Sequence, residues 1–348
     1  MSKWEDNVRK VVPYTPGEQP KIKNIIKLNT NENPYPPSPL VRETAIDMDD
    51  LKLYPDPAAD LLVSAIAGYH GVDKNRVFVG VGSDDVLAMS FLAFFNSDKP
   101  ILFPDVTYSF YDVWANLFRI PFTDLPLDDD FCIVPEDYER ENGGVIFPNP
   151  NAPTGRKLEL SKVRQIIEAN RDVVVIVDEA YVDFGAESAL PLTDEYDNLL
   201  VVRTFSKSRS MAGIRIGYAI GQEKLIKYLS DVKYSFNSYT MNRPSIVLGA
   251  ASIKDDAYFK ETIEKVVATR ERTTKELEAL GFKVLPSKAN FVFASHDKKP
   301  AKEIFAAARE RGIILRYFDK PRIDNFLRIT IGTDEQMDEF IAFLKEFI

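Results

Sequence analysis

Lys207 stands in the segment RTFSKSRSMAGIRIGY (203–218), directly after Ser206 and an apolar run, with Arg215 eight residues further on. A lysine that is partly desolvated beside cations gives up its proton more readily and can join an aldehyde as a Schiff base. Hydroxyl and guanidinium groups nearby suit a phosphate on that aldehyde. The run VVVIVDEAY (173–181) closes on Asp178, Glu179 and Tyr181. A carboxylate at the carboxyl end of a central strand sits where α/β sheets place their ligands, and it can keep a pyridine nitrogen protonated. Taken singly, Lys207 reads as a surface lysine and Asp178 as a carboxylate capping the next element. The joint order Asp178, Tyr181, Ser206, Lys207, Arg215 favours an aldehyde bearing a phosphate and a ring nitrogen, which describes pyridoxal phosphate.

Two further segments offer polar groups for such a molecule. GVGSDD (80–85) lies between an apolar run and a helical stretch, so Ser83 and Asp84 open a helix whose free N–H groups and dipole favour an anion. A capped helix without ligand is the plainer alternative. Gly80 and Gly82 also begin a GxGxxG pattern, but Asp85 replaces the third glycine, so the dinucleotide fingerprint is incomplete even with Asp105 near the distance of a ribose-binding acid. NPNAPTG (149–155) sets two asparagines among prolines, either as a bare turn or as a rigid loop whose amides are aimed. The Asp178-Glu179 ending resembles the second motif of nucleotide triphosphatases, yet no glycine is followed by lysine, which argues against an ATPase.

Composition narrows the remaining classes. The 348 residues carry 44 Lys and Arg against 53 Asp and Glu, a net charge of −9, so a basic footprint for nucleic acid is not expected. A cofactor-dependent regulator with a basic DNA-binding unit is disfavoured on the same ground. One cysteine, Cys132, excludes an internal disulfide framework and a cysteine-rich metal site, and no metal is expected. His70 and His296 sit in neither a nucleophile-elbow nor an HExxH context, which disfavours triad chemistry. Asp128 to Asp130 read as a solvated turn, and Arg209 as a surface-facing side chain. No apolar stretch approaches the roughly 20 residues of a membrane helix, and MSKWEDNVRK lacks a signal peptide's apolar segment, so the cytoplasm is the expected location.

The elements that must position these residues follow from the apolar pattern. Short runs RVFVGVG, PILF, GVIF, VVVIVD, LLVVRTF and RIGYAIG between residues 76 and 221 have the length and β-branched content of buried strands, with helices at 108–117 and 161–171 between some of them. Such alternation predicts an α/β fold, a mainly parallel central sheet flanked by helices. Asn29 to Pro39, with four prolines, reads as an extended crossing segment. Beyond residue 243 one long helix is expected over 255–280, ended by Gly281, and then a smaller α+β unit with strands FKVLP, ANFVFA and FLRITIG and helices at 300–311 and 334–347.

In order and spacing, LNTNENPYPP, LYPDP, GVGSDD, VTYSFY, NPNAPTG, VDEAY, RTFSKSRSMAGIRIGY, ILR and LRITIG resemble fold-type I pyridoxal-phosphate-dependent aminotransferases, nearest to the histidinol-phosphate subgroup. The resemblance runs from about Tyr14 to the last helix. It implies an N-terminal arm (1–30) associated with the small domain, a large cofactor-binding domain (31–243), a small domain (244–348) and a homodimer with shared active sites. It implies that Lys207 is anchor and base, that Asp178 pairs with the pyridinium nitrogen, that Tyr181 bonds the ring O3′ and that Tyr108 stacks on the ring. The phosphate falls to the backbone amides of Ser83 and Asp84 and to Ser206 and Arg215, with Tyr54 reaching over from the second copy, and Thr204 is a further cofactor-binding residue. Arg316 and Arg328 would bind substrate anions, and Tyr14 would cover the pocket. Where related enzymes carry an asparagine before Pro-Thr-Gly this chain has Ala152, so Asn151 is carried as the O3′ amide. The implied reaction is exchange of the amino group between histidinol phosphate and 2-oxoglutarate. Aromatic amino acid aminotransferases and threonine-phosphate decarboxylases use the same core and stand as alternatives.

Overall fold

The computed structural model describes residues 3–21 and 24–348; residues 1–2 and 22–23 of the arm lie outside the described residues. A two-residue strand β1 (Ile26–Lys27) and helices α1 (Pro39–Glu43) and α2 (Asp60–His70) come first. Then follow β2 (Val77–Gly80), α3 (Ser83–Phe94), β3 (Ile101–Pro104), α4 (Tyr111–Phe118), β4 (Phe122–Leu125), β5 (Val145–Pro148), α5 (Leu160–Ala169), β6 (Val175–Asp178), β7 (Leu199–Thr204) and β8 (Gly217–Ile220). Strands β2 to β8 form one seven-stranded sheet in the order β2-β8-β7-β6-β5-β3-β4. β8 runs antiparallel to both neighbours, and the other pairings are parallel.

The continuous apolar runs of β5, β6 and β7 have the physical basis expected of strands buried on both faces. Val145, Phe147, Val175, Val177, Leu199 and Val201 feed the core on one side, under α5. The alternate residues Ile146, Ile176, Leu200 and Val202 feed the core on the other, under α3, α4 and the helix that follows β8. The helix expected at 108–117 starts at Tyr111 instead, because Tyr108 to Phe110 are taken up in a turn in which Tyr111 N–H donates to Tyr108 O at 3.2 Å.

After β8 come α6 (Glu223–Phe236), α7 (Arg243–Lys254), α8 (Asp256–Ala279), β9 (Phe282–Val284), β10 (Phe291–His296), α9 (Ala301–Glu310), β11 (Ile313–Ile314), β12 (Arg316–Tyr317), β13 (Leu327–Thr330) and α10 (Asp334–Phe347). α8 matches the expected long helix, and Gly281 just beyond it takes φ +88°. β12-β13-β10-β9 form a four-stranded antiparallel sheet. β1 pairs in parallel with β11, and Leu28 packs in the same core as Phe291 and Ile329, so the chain just before the proline-rich segment runs along this second sheet. No helix among the described residues is long and apolar enough to cross a membrane.

Candidate active site

Asp178 ends β6, Pro148 ends β5, and Lys207 follows β7 by three residues, which gathers them at the carboxyl edge of the large sheet. The turn after β7 is held internally. Thr204 Oγ1 accepts from Ser206 N at 3.1 Å, and Met211 N donates to Phe205 O at 3.0 Å. Lys207 Nζ donates to Thr30 O at 3.2 Å and lies 5.7 Å from the centre of the Tyr181 ring. Arg209, expected at the surface, is instead 8% exposed. Its guanidinium donates to Ser252 O at 2.8 Å and lies 4.0 Å over the Phe259 ring, so it pins the lysine turn to α7 and α8.

One cavity opens beside Lys207 and reaches the start of α3. Gly82 precedes that helix at φ +84°, and a Cβ there would meet Arg215 Nη2 at 2.4 Å. A Cβ on Gly217 would meet Ser83 N at 2.2 Å, so the helix start, Arg215 and β8 approach this closely only because two side chains are missing. Ser83, Asp84, Thr204, Ser206 and Arg215 all border the cavity. Arg215 pairs with Asp84 Oδ2 at 3.0 Å, and Tyr108 donates to Asp84 Oδ1 at 2.7 Å. Asp85, which stands where a dinucleotide fingerprint has its third glycine, turns back to accept from Val81 N at 2.9 Å. Asp105 is spent on Arg322 at 2.7 Å and on the amides of Val106 and Leu127, so the dehydrogenase alternative loses both its glycine and its acid.

At the far wall of this cavity Asp178 is 5% exposed. Its Oδ2 accepts from Tyr111 Oη at 3.0 Å and its Oδ1 from Ala180 N at 3.2 Å. Burial pushes its pKa up to about 6, against the two donors that favour the ionised form. No lysine, arginine or histidine pairs with it among the described residues. The next residue, Glu179, is neutralised by Arg203 at 2.9 Å and bonded by Ser188, so Asp178 alone faces the cavity as a buried carboxylate in need of a cation.

A second cavity shares Tyr108, Tyr181 and Lys207 with the first and is bordered by Tyr14, Arg316 and Arg328. Neither arginine has a carboxylate partner among the described residues. Arg328 gives Nη2 to Asn29 O at 2.8 Å, but its enclosed Nε has no partner. Enclosure pulls its pKa below that of an ordinary arginine, and the charge of Arg316 adds to this. Two cations held close without an acid make an anion site. Tyr14 stacks on Phe110 with ring centres 4.1 Å apart, which lays the arm across this cavity.

Two candidates are not brought to either cavity. The Asn151 side chain is consumed within its own loop: Nδ2 donates to Val106 O at 2.9 Å and Thr154 Oγ1 at 3.1 Å, and Oδ1 accepts from Thr107. Both Nδ2 hydrogens are thus spent within the loop, which counts against the expectation that Asn151 donates to O3′. Tyr54 is 80% exposed and packs on Tyr239, with ring centres 4.7 Å apart. The histidines are structural. His70 bonds Tyr218 at 2.9 Å with its pKa pushed down to about 4 by burial, and His296 accepts the amides of Lys298 and Lys299.

Sequence reasoning missed Tyr111, Thr30 and Asn31. Tyr111 lies inside VTYSFY but carries no spacing signal toward Asp178. Asn31, in the proline-rich segment, takes φ +58°, a conformation asparagine tolerates better than most residues.

Comparison with known proteins agrees with this geometry. Residues 23–344 match the aminotransferase class I and II family. Histidinol-phosphate aminotransferase 2 of Dechloromonas aromatica (strain RCB) is 57% identical, covering 99% of this chain and 98% of that protein. Histidinol-phosphate aminotransferase of Clostridium beijerinckii is 53% identical, covering 99% of this chain and 97% of that protein. The crystal structure of the histidinol-phosphate aminotransferase from Clostridium acetobutylicum shares the fold, with a TM-score of 0.86 at 23% identity over 93% of this chain and 99% of that one. The chain thus belongs to the class I and II aminotransferases and, within them, to the histidinol-phosphate aminotransferases.

Proposed function

We propose that the protein transfers the amino group of histidinol phosphate to 2-oxoglutarate, giving imidazole acetol phosphate and glutamate in histidine biosynthesis, as a cytoplasmic homodimer dependent on pyridoxal phosphate. The observation that carries this reading is the pair of acid-free guanidinium groups, Arg316 and Arg328, on a cavity that shares Lys207 with a second cavity ending at a buried carboxylate. A ping-pong transaminase must accept a phosphate-bearing donor and a dicarboxylate in turn, and a guanidinium fork serves both anions.

The residues fit the cofactor. Asp178 is an uncompensated carboxylate that a protonated ring nitrogen would neutralise, and the glycine-lined start of α3 with Ser206 and Arg215 forms an anion cradle. We assign the phosphate to the amides of Ser83 and Asp84, to Thr204, Ser206 and Arg215, and to Tyr54 of a second copy. Tyr108 would lie on the ring, and with Asn151 spent elsewhere Tyr181 would donate to O3′. When bound, the cofactor supplies the electron sink that makes the substrate Cα acidic. Lys207 Nζ would anchor the cofactor and, once freed by the incoming amine, would carry the proton taken from substrate Cα to the cofactor carbon bonded to the amino nitrogen. Tyr14 and the arm exclude water above the pocket.

The sheets support a division of labour in which the large unit holds the cofactor and the small-sheet unit, with the arm, closes over substrate; the boundary expected at 243/244 falls later, because Ile246, Ala251 and Ile253 of α7 pack with α2, β2 and β8 in the core of the large unit. The dimer is supported by an exposed apolar surface: Met48, Leu53, Tyr54, Phe236 and Tyr239 are all well exposed, and Arg243 ties the two segments together through Asp50 at 3.0 Å.

The first test is spectral. Purified protein given pyridoxal phosphate should show a visible absorption band that Lys207→Ala lacks. Wild-type protein with no such band would remove the cofactor and the reaction together.

A further inference from the structure

Three consecutive residues of the proline-rich segment touch three different parts of the site. Asn29 O accepts from Arg328 at 2.8 Å, Thr30 O accepts from Lys207 at 3.2 Å, and Asn31 Nδ2 donates to Tyr181 Oη at 2.9 Å. Asn31 is 1% exposed and sits at φ +58°, a left-handed state that asparagine tolerates, and its neighbours hold it there. Asn31 N donates to Thr330 Oγ1 at 3.0 Å, Asn31 Oδ1 accepts from Thr330 Oγ1 at 3.0 Å, and Asn31 O accepts from Asn290 Nδ2 at 2.9 Å. Thr330 ends the strand that carries Arg328, and Asn290 directly precedes β10.

In this network Thr330 Oγ1 accepts from the Asn31 N–H and donates to Asn31 Oδ1, and Asn31 Nδ2 donates to the Tyr181 oxygen. Because that oxygen receives a donor, the Tyr181 hydrogen is not spent on Asn31. It is left for a group in the two cavities that Tyr181 borders, and a bond accepted by the oxygen strengthens it as a donor. Asn151 supplies nothing here, its amide being committed to Val106 and Thr154.

We propose that Asn31 is a positioning residue for Tyr181: clamped by Thr330 and Asn290, its amide aims the Tyr181 hydroxyl hydrogen at the cofactor's ring oxygen and couples the strand of Arg328 to the cofactor. This rests on the cofactor reading above. On the bound cofactor the ring oxygen would carry negative charge, and a donor would offset it most once the Lys207 nitrogen has lost its proton. A weaker donor therefore moves that proton loss to higher pH.

The test is the pH titration of the visible band of protein loaded with pyridoxal phosphate. Asn31→Gly keeps the left-handed backbone and removes the amide, whereas Asn31→Asp keeps the shape but turns an acceptor to Tyr181. Each should raise the midpoint by about 0.5 to 1 pH unit. Tyr181→Phe should raise it at least as far, and adding Asn31→Gly to Tyr181→Phe should add nothing. Lys207 and Arg328, which face the Tyr181 ring, and Glu32, whose charge acts on Lys207 from the same cavity, are unchanged in the Asn31 variants. If Asn31→Gly does not fold, Asn31→Asp decides. A wild-type midpoint retained in folded variants, or a shift in the double variant equal to the sum of the two, overturns the role of Asn31 and leaves the cofactor reading standing. A wild-type protein without a band overturns both.

Discussion

Tyr111 donates its hydroxyl to Asp178 Oδ2 across 3.0 Å, with both groups buried beneath the cavity that Lys207 borders. The bond orients the carboxylate and steadies its charge, but it does not neutralise it. The protein thus keeps, at the carboxyl end of its central strand, an acid that is costly until a cation arrives.

That cost has a sign in pH. Asp178 has a folded pKa of about 6 against an ordinary 3.8, so its contribution to stability is fully present below the ordinary value and is lost as pH rises through 6. Cofactor-free Asp178→Asn should therefore be more stable than wild type at pH 8, by about 1 to 3 kcal/mol, with the difference shrinking toward pH 5. Denaturant unfolding at the two pH values measures it. With cofactor the order should reverse, because the variant loses the partner of the ring nitrogen. Equal unfolding of the two cofactor-free proteins at pH 8 would contradict the account.

Lys207→Ala should leave the fold intact and reduce turnover by roughly four orders of magnitude. The side chain is half-buried and, among the described residues, its single hydrogen bond goes to Thr30 O, so unfolding should change by less than about 1 kcal/mol. A variant that keeps more than a hundredth of the wild-type rate, about 3 kcal/mol of barrier, would deny Lys207 its role.

Arg328→Lys retains a charge but not the fork, and the enclosed Nε vacates its place. KM for both the phosphate-bearing donor and the dicarboxylate should rise about 10- to 100-fold, with a smaller change in kcat. An effect confined to one substrate would mean that the two anions do not share this arginine.

Gly82→Ala and Gly217→Ala place a Cβ at 2.4 Å from Arg215 Nη2 and at 2.2 Å from Ser83 N. The first displaces a side chain and the second meets backbone, so Gly217→Ala should cost more stability. Both should release cofactor faster on dialysis, by about tenfold or more. Retention equal to wild type would place the phosphate elsewhere.

Much of this was legible in the sequence because the strands are buried on both faces. VIVD and LLVVRT are continuous apolar runs, and their last residues lead directly to Asp178 and Lys207. Residues that reach the site through tertiary contacts were not legible. Tyr111 meets Asp178 across 67 positions and Asn31 meets Tyr181 across 150, and no local period encodes either contact. Arg209 shows the same gap from the other direction. Two residues from Lys207 it read as solvent-facing, but α7 and α8, far along the chain, close over it. The short strands β1, β11 and β12 carry too few residues for a periodic signal, and helices α2, α6 and α7 were not singled out from their pattern.

The most direct test of the central claim is a competition between amino donors. Cofactor-loaded protein is given histidinol phosphate and phenylalanine at equal concentration with 2-oxoglutarate, and the two products are measured. The account predicts strong preference for histidinol phosphate, reduced in Arg328→Lys. Preference for phenylalanine would contradict it, leaving the fold, Lys207 and Asp178 in place and removing the phosphate-bearing substrate.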